Sequence, residues 1–88
     1  MNAANKKKLR AEAHTLKPVV MIGQSGLTTG VLAELDQALN THELLKVRIR
    51  AERDERKLIT EKICADSGAE LIQSIGQIAV IYRLNPNK

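Results

Sequence analysis

The sequence predicts an α/β domain in the order α-β-α-β-α-β-β, with four strands in one mixed sheet packed by helices. Three observations lead there. Short β-prone runs alternate with segments whose apolar residues recur at helical spacing. Two internal connections each hold a helix and are long enough to join parallel strands by right-handed crossovers. The last two β-prone runs are separated by only Gly76-Gln77, the signature of a hairpin.

The first helix is expected over residues 5–16, where Leu9, Ala13 and Leu16 form a narrow apolar stripe and Lys6, Lys7, Lys8 and Arg10 fill most of the remaining surface. Pro18 ends it, because a proline pushes the preceding residue out of the helical region. Val19-Val20-Met21-Ile22 is apolar on both sides of the pleat, which predicts a central strand buried on both faces.

After Gly23-Gln24-Ser25-Gly26-Leu27, a second helix has Val31, Leu32, Leu35, Ala38 and Leu39 on one face. Thr28 or Thr29 is its N-cap and Asn40 its stop. Residues 44–50 alternate, with Leu45, Val47 and Ile49 facing the core and Lys46, Arg48 and Arg50 forming a positive row on the other side.

The third helix, 54–67, opens on Asp54 and Glu55, which suit the helix dipole. It is anchored by Ile59 and Ile63, with Cys64 beside them, and stops at Gly68. Leu71–Ile75 and Ile78–Tyr82 are the hairpin strands, with Gly76 placed for a type II′ turn. Residues 1–88 are read as one domain whose tail, 85–88, is frayed.

Composition narrows the function. A chain of 88 residues buries only about 60% of its unfolded surface, so its apolar residues are committed to the core and a roomy internal active site is not expected. With no Phe or Trp, that core is built from Leu, Ile, Val and Ala. One cysteine and two distant histidines, His14 and His42, supply neither a disulfide nor a structural zinc site. The longest apolar run is far short of the ~20 residues that span a membrane, and no signal peptide is recognisable, so a cytoplasmic, reducing compartment is expected.

The net charge of +4 is unevenly distributed. Residues 1–17 carry +4, 18–45 carry −3, 46–53 carry +3, and 54–88 balance. Two basic blocks of this kind repel themselves, which points to an acidic partner such as a phosphate backbone or an anionic surface. A solvated surface favouring solubility gives the same counts.

Gly23-Gln24-Ser25-Gly26 is the informative loop. Glycines let a phosphate backbone approach closely, and the helix that follows offers unpaired N–H groups and partial positive charge. Glycines also occur simply to turn a strand into a helix, so the loop gains weight from the basic segments available to flank it. Neither a phosphate-binding Gly-x-x-x-x-Gly-Lys nor a dinucleotide Gly-x-Gly-x-x-Gly pattern is present. Tyr82 alone cannot form a base-stacking platform, so an RNA partner would be gripped through its backbone.

His14, His42, Cys64 and scattered carboxylates show no spacing that would bring a base to a nucleophile, so no enzyme is expected. Attachment to a membrane surface fails because the stripe of Leu9, Ala13 and Leu16 lacks bulky inserting residues. The remaining rival to RNA binding is an adaptor that docks an acidic protein on the basic surface.

Leu16-Lys17-Pro18, the Gly23–Thr28 loop, Glu43-Leu44-Leu45-Lys46-Val47-Arg48, Ser67-Gly68-Ala69-Glu70 and the Ile75-Gly76 to Tyr82-Arg83 hairpin together resemble the CRM domain, the chloroplast RNA splicing and ribosome maturation family. The likeness covers nearly the whole chain and is strongest to the stand-alone bacterial, YhbY-type form.

It implies an RNA-binding fold similar to the C-terminal domain of a bacterial translation initiation factor. No cofactor is expected. It also implies association with ribosomal RNA in precursors of the large ribosomal subunit, and a role in their assembly. Neither a membrane nor a small-molecule substrate is expected, and the protein is expected to be a monomer.

On this reading Gly23 and Gly26 shape the loop, and Gln24, Ser25 and Thr28 line the phosphate path. Lys6, Lys7, Lys8, Arg10, Lys17, Lys46, Arg48 and Arg50 supply charge. Many members of the family carry a basic residue in the loop where this chain has Gln24, which shifts electrostatic affinity onto Lys17, Lys46 and Arg48.

Overall fold

The computed structural model describes residues 2–85. Its elements are α1 (Ala3–Ala13), β1 (Pro18–Ile22), α2 (Thr29–Thr41), β2 (Leu44–Ile49), α3 (Arg53–Ser67), β3 (Glu70–Ile75) and β4 (Ile78–Tyr82). The expected order and the single four-stranded mixed sheet are both present, with strands arranged β1-β2-β4-β3. β1 runs parallel to β2, and β4 is antiparallel to both of its neighbours, β2 and β3.

Only the first crossover therefore joins strands that pair directly. The second carries the chain past one position, and β4 folds back into the gap, so β2 and β3 share a direction without a hydrogen bond. The sequence could not show this, because β4 satisfies the same β2 edge by a hairpin return.

β1 corrects a second expectation. It is an edge strand, not the central one, and only one side of it is buried. Val20 and Ile22 are buried, whereas Val19 and Met21 are about half exposed, at 50% and 58%. Among the described residues no element covers the outer side of Met21, and Val19 lies at a register irregularity and faces the rim of α2.

The two faces of the sheet carry separate cores. On the inner face, Val20, Ile22, Leu45, Val47, Ile49, Ala79 and Ile81 pack with Leu35 and Leu39 of α2 and Ile63 of α3. Each fully buried Leu, Ile or Val contributes about 2 kcal/mol relative to exposure. On the outer face, Ala13 of α1 is buried against Ile72 and Val80, with Leu9, Leu44, Ile78 and Tyr82 around it. The strict alternation of β2 sends Leu45, Val47 and Ile49 inward and leaves Lys46 and Arg48 half-buried on the α1 side.

Local chemistry sets the helix ends. The Asn2 side chain accepts a bond from the Asn5 N–H at 2.8 Å and starts α1. α1 ends at Ala13 rather than 16, and Leu16 is 38% exposed in the turn that follows. The chain needs those residues to reach the extended geometry that Pro18 demands. Thr28 is the N-cap of α2, and that helix runs one residue past Asn40. Gly68 ends α3 in the left-handed region at φ +74°.

Gly76 has φ +54° and Gln77 is not positive, which fits the expected type II′ hairpin. Of the tail expected to fray, residues 86–88 lie outside the described residues. Asn85 is held: its backbone N–H donates to Glu43 at 2.8 Å and its side-chain amide to the Asn40 carbonyl at 2.6 Å.

Candidate nucleic-acid interface

The loop after β1 is a tight turn closed by the Gly26 N–H donating to the Gly23 carbonyl at 3.1 Å. Gly26 lies at φ +68°, where a side chain is strained, whereas Gly23 has ordinary φ and open space around its Cα. Only the second glycine is thus required by the turn itself. Gln24 and Ser25 are exposed at the tip, as expected.

The turn leads directly into the start of α2. Thr28 accepts the Val31 N–H on its hydroxyl oxygen at 3.1 Å, and its carbonyl accepts the first helical bond, from Leu32, at 3.0 Å. The N–H groups of Thr29 and Gly30 precede that bond and have no carbonyl one turn back. No acidic residue occupies the first turn, so nothing within that turn offsets the positive end of the helix dipole beside the loop.

The end of β2 is tied to this loop. The Arg50 N–H donates to the Ile22 carbonyl at 2.9 Å, and the Ile49 N–H donates to Gln77 in the hairpin turn at 2.7 Å. Arg50 therefore stands next to Gly23. Along β2, Arg48 pairs with Met21, and Lys46 pairs with Pro18, whose neighbour is the exposed Lys17.

The first helix joins this row only in part. Arg10 and His14 share a groove of about 200 Å³ with Lys46, floored by Ala13, Ile78 and Val80 and bordered by Gln73 and Ile75. Lys7, one turn before Arg10, lies on the same flank by helical spacing. Lys6 is half-buried. Lys8 lies with Glu12 and Tyr82 on the opposite flank of α1. The turn of 100° per residue separates side chains that are neighbours in sequence.

Gln73, Ile75 and Ile78 read from sequence only as strand residues. Their signal is the alternation in β3 and β4 that turns Gln73, Ile75, Ile78 and Val80 to the α1 side, where the register pairs Gln73 with Val80 and Ile75 with Ile78.

Cys64 and His14 do not come together. Cys64 packs against the inner core, while His14 is on the outer face, with the sheet between them. Burial pushes the Cys64 thiol above its ordinary pKa, and the nearby Glu70 carboxylate adds to the shift, both of which disfavour the nucleophilic thiolate. His42 closes the end of α2, where its N–H donates to the Ala38 carbonyl at 2.7 Å. Among the described residues, no helix is long and apolar enough to cross a membrane.

Known proteins resemble this chain along most of its length. It is 51% identical over 82 residues to the "Probable RNA-binding protein PA4753" of Pseudomonas aeruginosa, a match spanning 92% of this chain and 79% of that protein. It is 46% identical over 84 residues to an "RNA-binding protein" of Haemophilus influenzae, spanning 94% of this chain and 85% of the other. The solution structure of the hypothetical protein SAV1595 from Staphylococcus aureus superimposes with a TM-score of 0.84 at 32% identity, covering 96% of this chain and 88% of that one. The model of the CRS1 / YhbY (CRM) domain matches residues 1–83, and the chain belongs to that family.

Proposed function

We propose that this protein is a non-catalytic RNA-binding factor that associates with precursors of the large ribosomal subunit in the cytoplasm and assists their assembly. The observation that carries the RNA reading is the tie between Arg50 and Ile22, which sets the Gly23–Gly26 turn and the α2 N-terminus beside the basic row of β2. A phosphate backbone passing over the turn would meet backbone N–H groups first and then Arg50, Arg48 and Lys46 in succession. Relatives named RNA-binding proteins support RNA as the ligand. The ribosomal role extends what membership of the family implies.

Such contacts position a backbone and carry little sequence information. They also make affinity fall steeply with salt, because bound cations are released from the RNA. The test is a sucrose gradient of lysate at low and high salt, following the protein through free, small-subunit, large-subunit and intact-ribosome fractions. Salt-sensitive migration with large-subunit precursors is expected. A protein that stays in the free fractions at low salt and ignores naked ribosomal RNA would overturn the reading in favour of an acidic protein partner.

A further inference from the structure

α1 covers part of the outer face of the sheet, packing Ala13 over Ile72 and Val80. Beyond it, Met21, Arg48, Ile78 and Ile75 stand in one register row, one residue from each strand. Met21 and Ile75 are 58% and 59% exposed, with no element of the described residues over them. The groove beside α1 opens onto this row. Its floor is aliphatic, Arg10, His14 and Lys46 supply its rim, Gln73 borders it, and among the described residues no carboxylate lines it.

We infer that this groove receives an unpaired nucleobase of the same RNA strand whose phosphates run along the loop and the basic row. The inference rests on the RNA reading above and names the kind of RNA, one with bases free of pairing. A groove with an apolar floor, cations at its rim and no opposing carboxylate suits a ligand that is flat and apolar on its faces and anionic along its backbone.

The Gln73 amide both donates and accepts, as the edge of a base requires. In a continuous duplex the base faces are stacked and that edge is paired, so neither is available to the groove. The larger groove between α3 and β3, about 710 Å³, is a poorer fit. It is lined by Asp54 and Glu61 together with Arg53, Arg56 and Lys57, and Arg56 already donates to the Ala51 carbonyl at 2.7 Å.

The test uses fluorescence anisotropy with a labelled single-stranded RNA of about twelve nucleotides, within the range of single-strand site sizes. A second probe of equal length has its central bases replaced by abasic residues and keeps every phosphate. The protein is expected to bind the first about fivefold more tightly than the second, the difference from one base resting on an aliphatic floor. Ile75→Ser combined with Gln73→Ala should weaken the complete probe to the abasic level and leave abasic binding unchanged.

Ile75→Thr keeps a β-branched strand residue and replaces Ile75→Ser if circular dichroism shows that the latter unfolds. Equal affinity for the two probes, or a variant that weakens both alike, overturns the base site while leaving phosphate binding intact. Failure of the unmodified protein to bind either probe overturns both readings.

Discussion

The Arg83 guanidinium sits 2.8 Å from the Asp36 carboxylate and is forked onto three further acceptors, the carbonyls of Ser67 and Asp36 and the side-chain oxygen of Asn40, at 2.8–3.1 Å. Arg83 follows β4 directly, so one side chain joins the end of the sheet to α2 and to the C-terminal end of α3. Its side chain is only 20% exposed, whereas that of Asp36 is 62% exposed, so the carbonyl bonds carry more of the stabilisation than the ion pair.

Arg83→Ala is expected to cost about 2 kcal/mol, from hydrogen bonds to a charged donor that the neighbouring carbonyls lose. Arg83→Lys should recover less than half of this, because an ammonium cannot reproduce the planar fork. Asp36→Asn should cost less than ~1 kcal/mol. Urea denaturation of the three variants gives the order, and an Asp36→Asn cost equal to that of Arg83→Ala would assign the stability to the ion pair instead.

The two loop glycines separate stability from close approach. Gly26→Ala places a side chain at φ +68° and should cost about 1–2 kcal/mol, with Gly26→Asn milder because asparagine tolerates that region. Gly23→Ala meets nothing within 4 Å and should change stability by less than ~0.5 kcal/mol. If an RNA backbone packs against Gly23, that same variant lowers RNA affinity severalfold at an unchanged melting temperature. Unaltered affinity would leave Gly23 a turn residue only.

How much of this was legible follows from which interactions are local. Gly68 and Gly76 act on backbone within a few residues of themselves, and their roles were readable in sequence, whereas the α2 N-cap was narrowed only to Thr28 or Thr29. So was β2, whose period of two is written in Leu45, Val47 and Ile49. Val19 to Ile22 is apolar at every position, and nothing in such a run says whether a strand lies in the middle of a sheet or at its edge. Leu16 continues the spacing of Leu9 and Ala13, so the early end of α1 was hidden as well.

In the candidate site, the loop and the β2 row were legible because each is continuous in the chain. The meeting of Arg10 with Lys46 depends on where α1 lands on the sheet, and the pairing of Arg83 with Asp36 spans 47 positions.

The division of the basic residues predicts a difference in salt dependence. Lys46→Ala and Arg48→Ala should each reduce the slope of log affinity against log salt by roughly 0.7 on single-stranded RNA if each contacts one phosphate. Lys8→Ala, on the far flank of α1 beside Glu12, should leave the slope unchanged. Binding titrations at four or more salt concentrations decide it, and equal slope losses from Lys8 and Lys46 would mean that the ligand wraps α1 rather than following β2.

Charge at the loop tip gives the most direct test of the phosphate path. Gln24 and Ser25 are exposed, and aspartate is well accepted in turns, so Gln24→Asp with Ser25→Asp should leave the melting temperature within a few degrees of the parent. A carboxylate brought about 4 Å from a phosphate in water costs about 1 kcal/mol, so two should weaken RNA binding by about tenfold or more at low salt. The loss should shrink as salt rises, because exposed charges are screened over a Debye length. Gln24→Asn with Ser25→Thr controls for shape without charge and should bind like the parent. Full affinity in the double aspartate variant, with the fold intact, would remove the loop from the interface and leave the basic row of β2 as the place to look for the ligand.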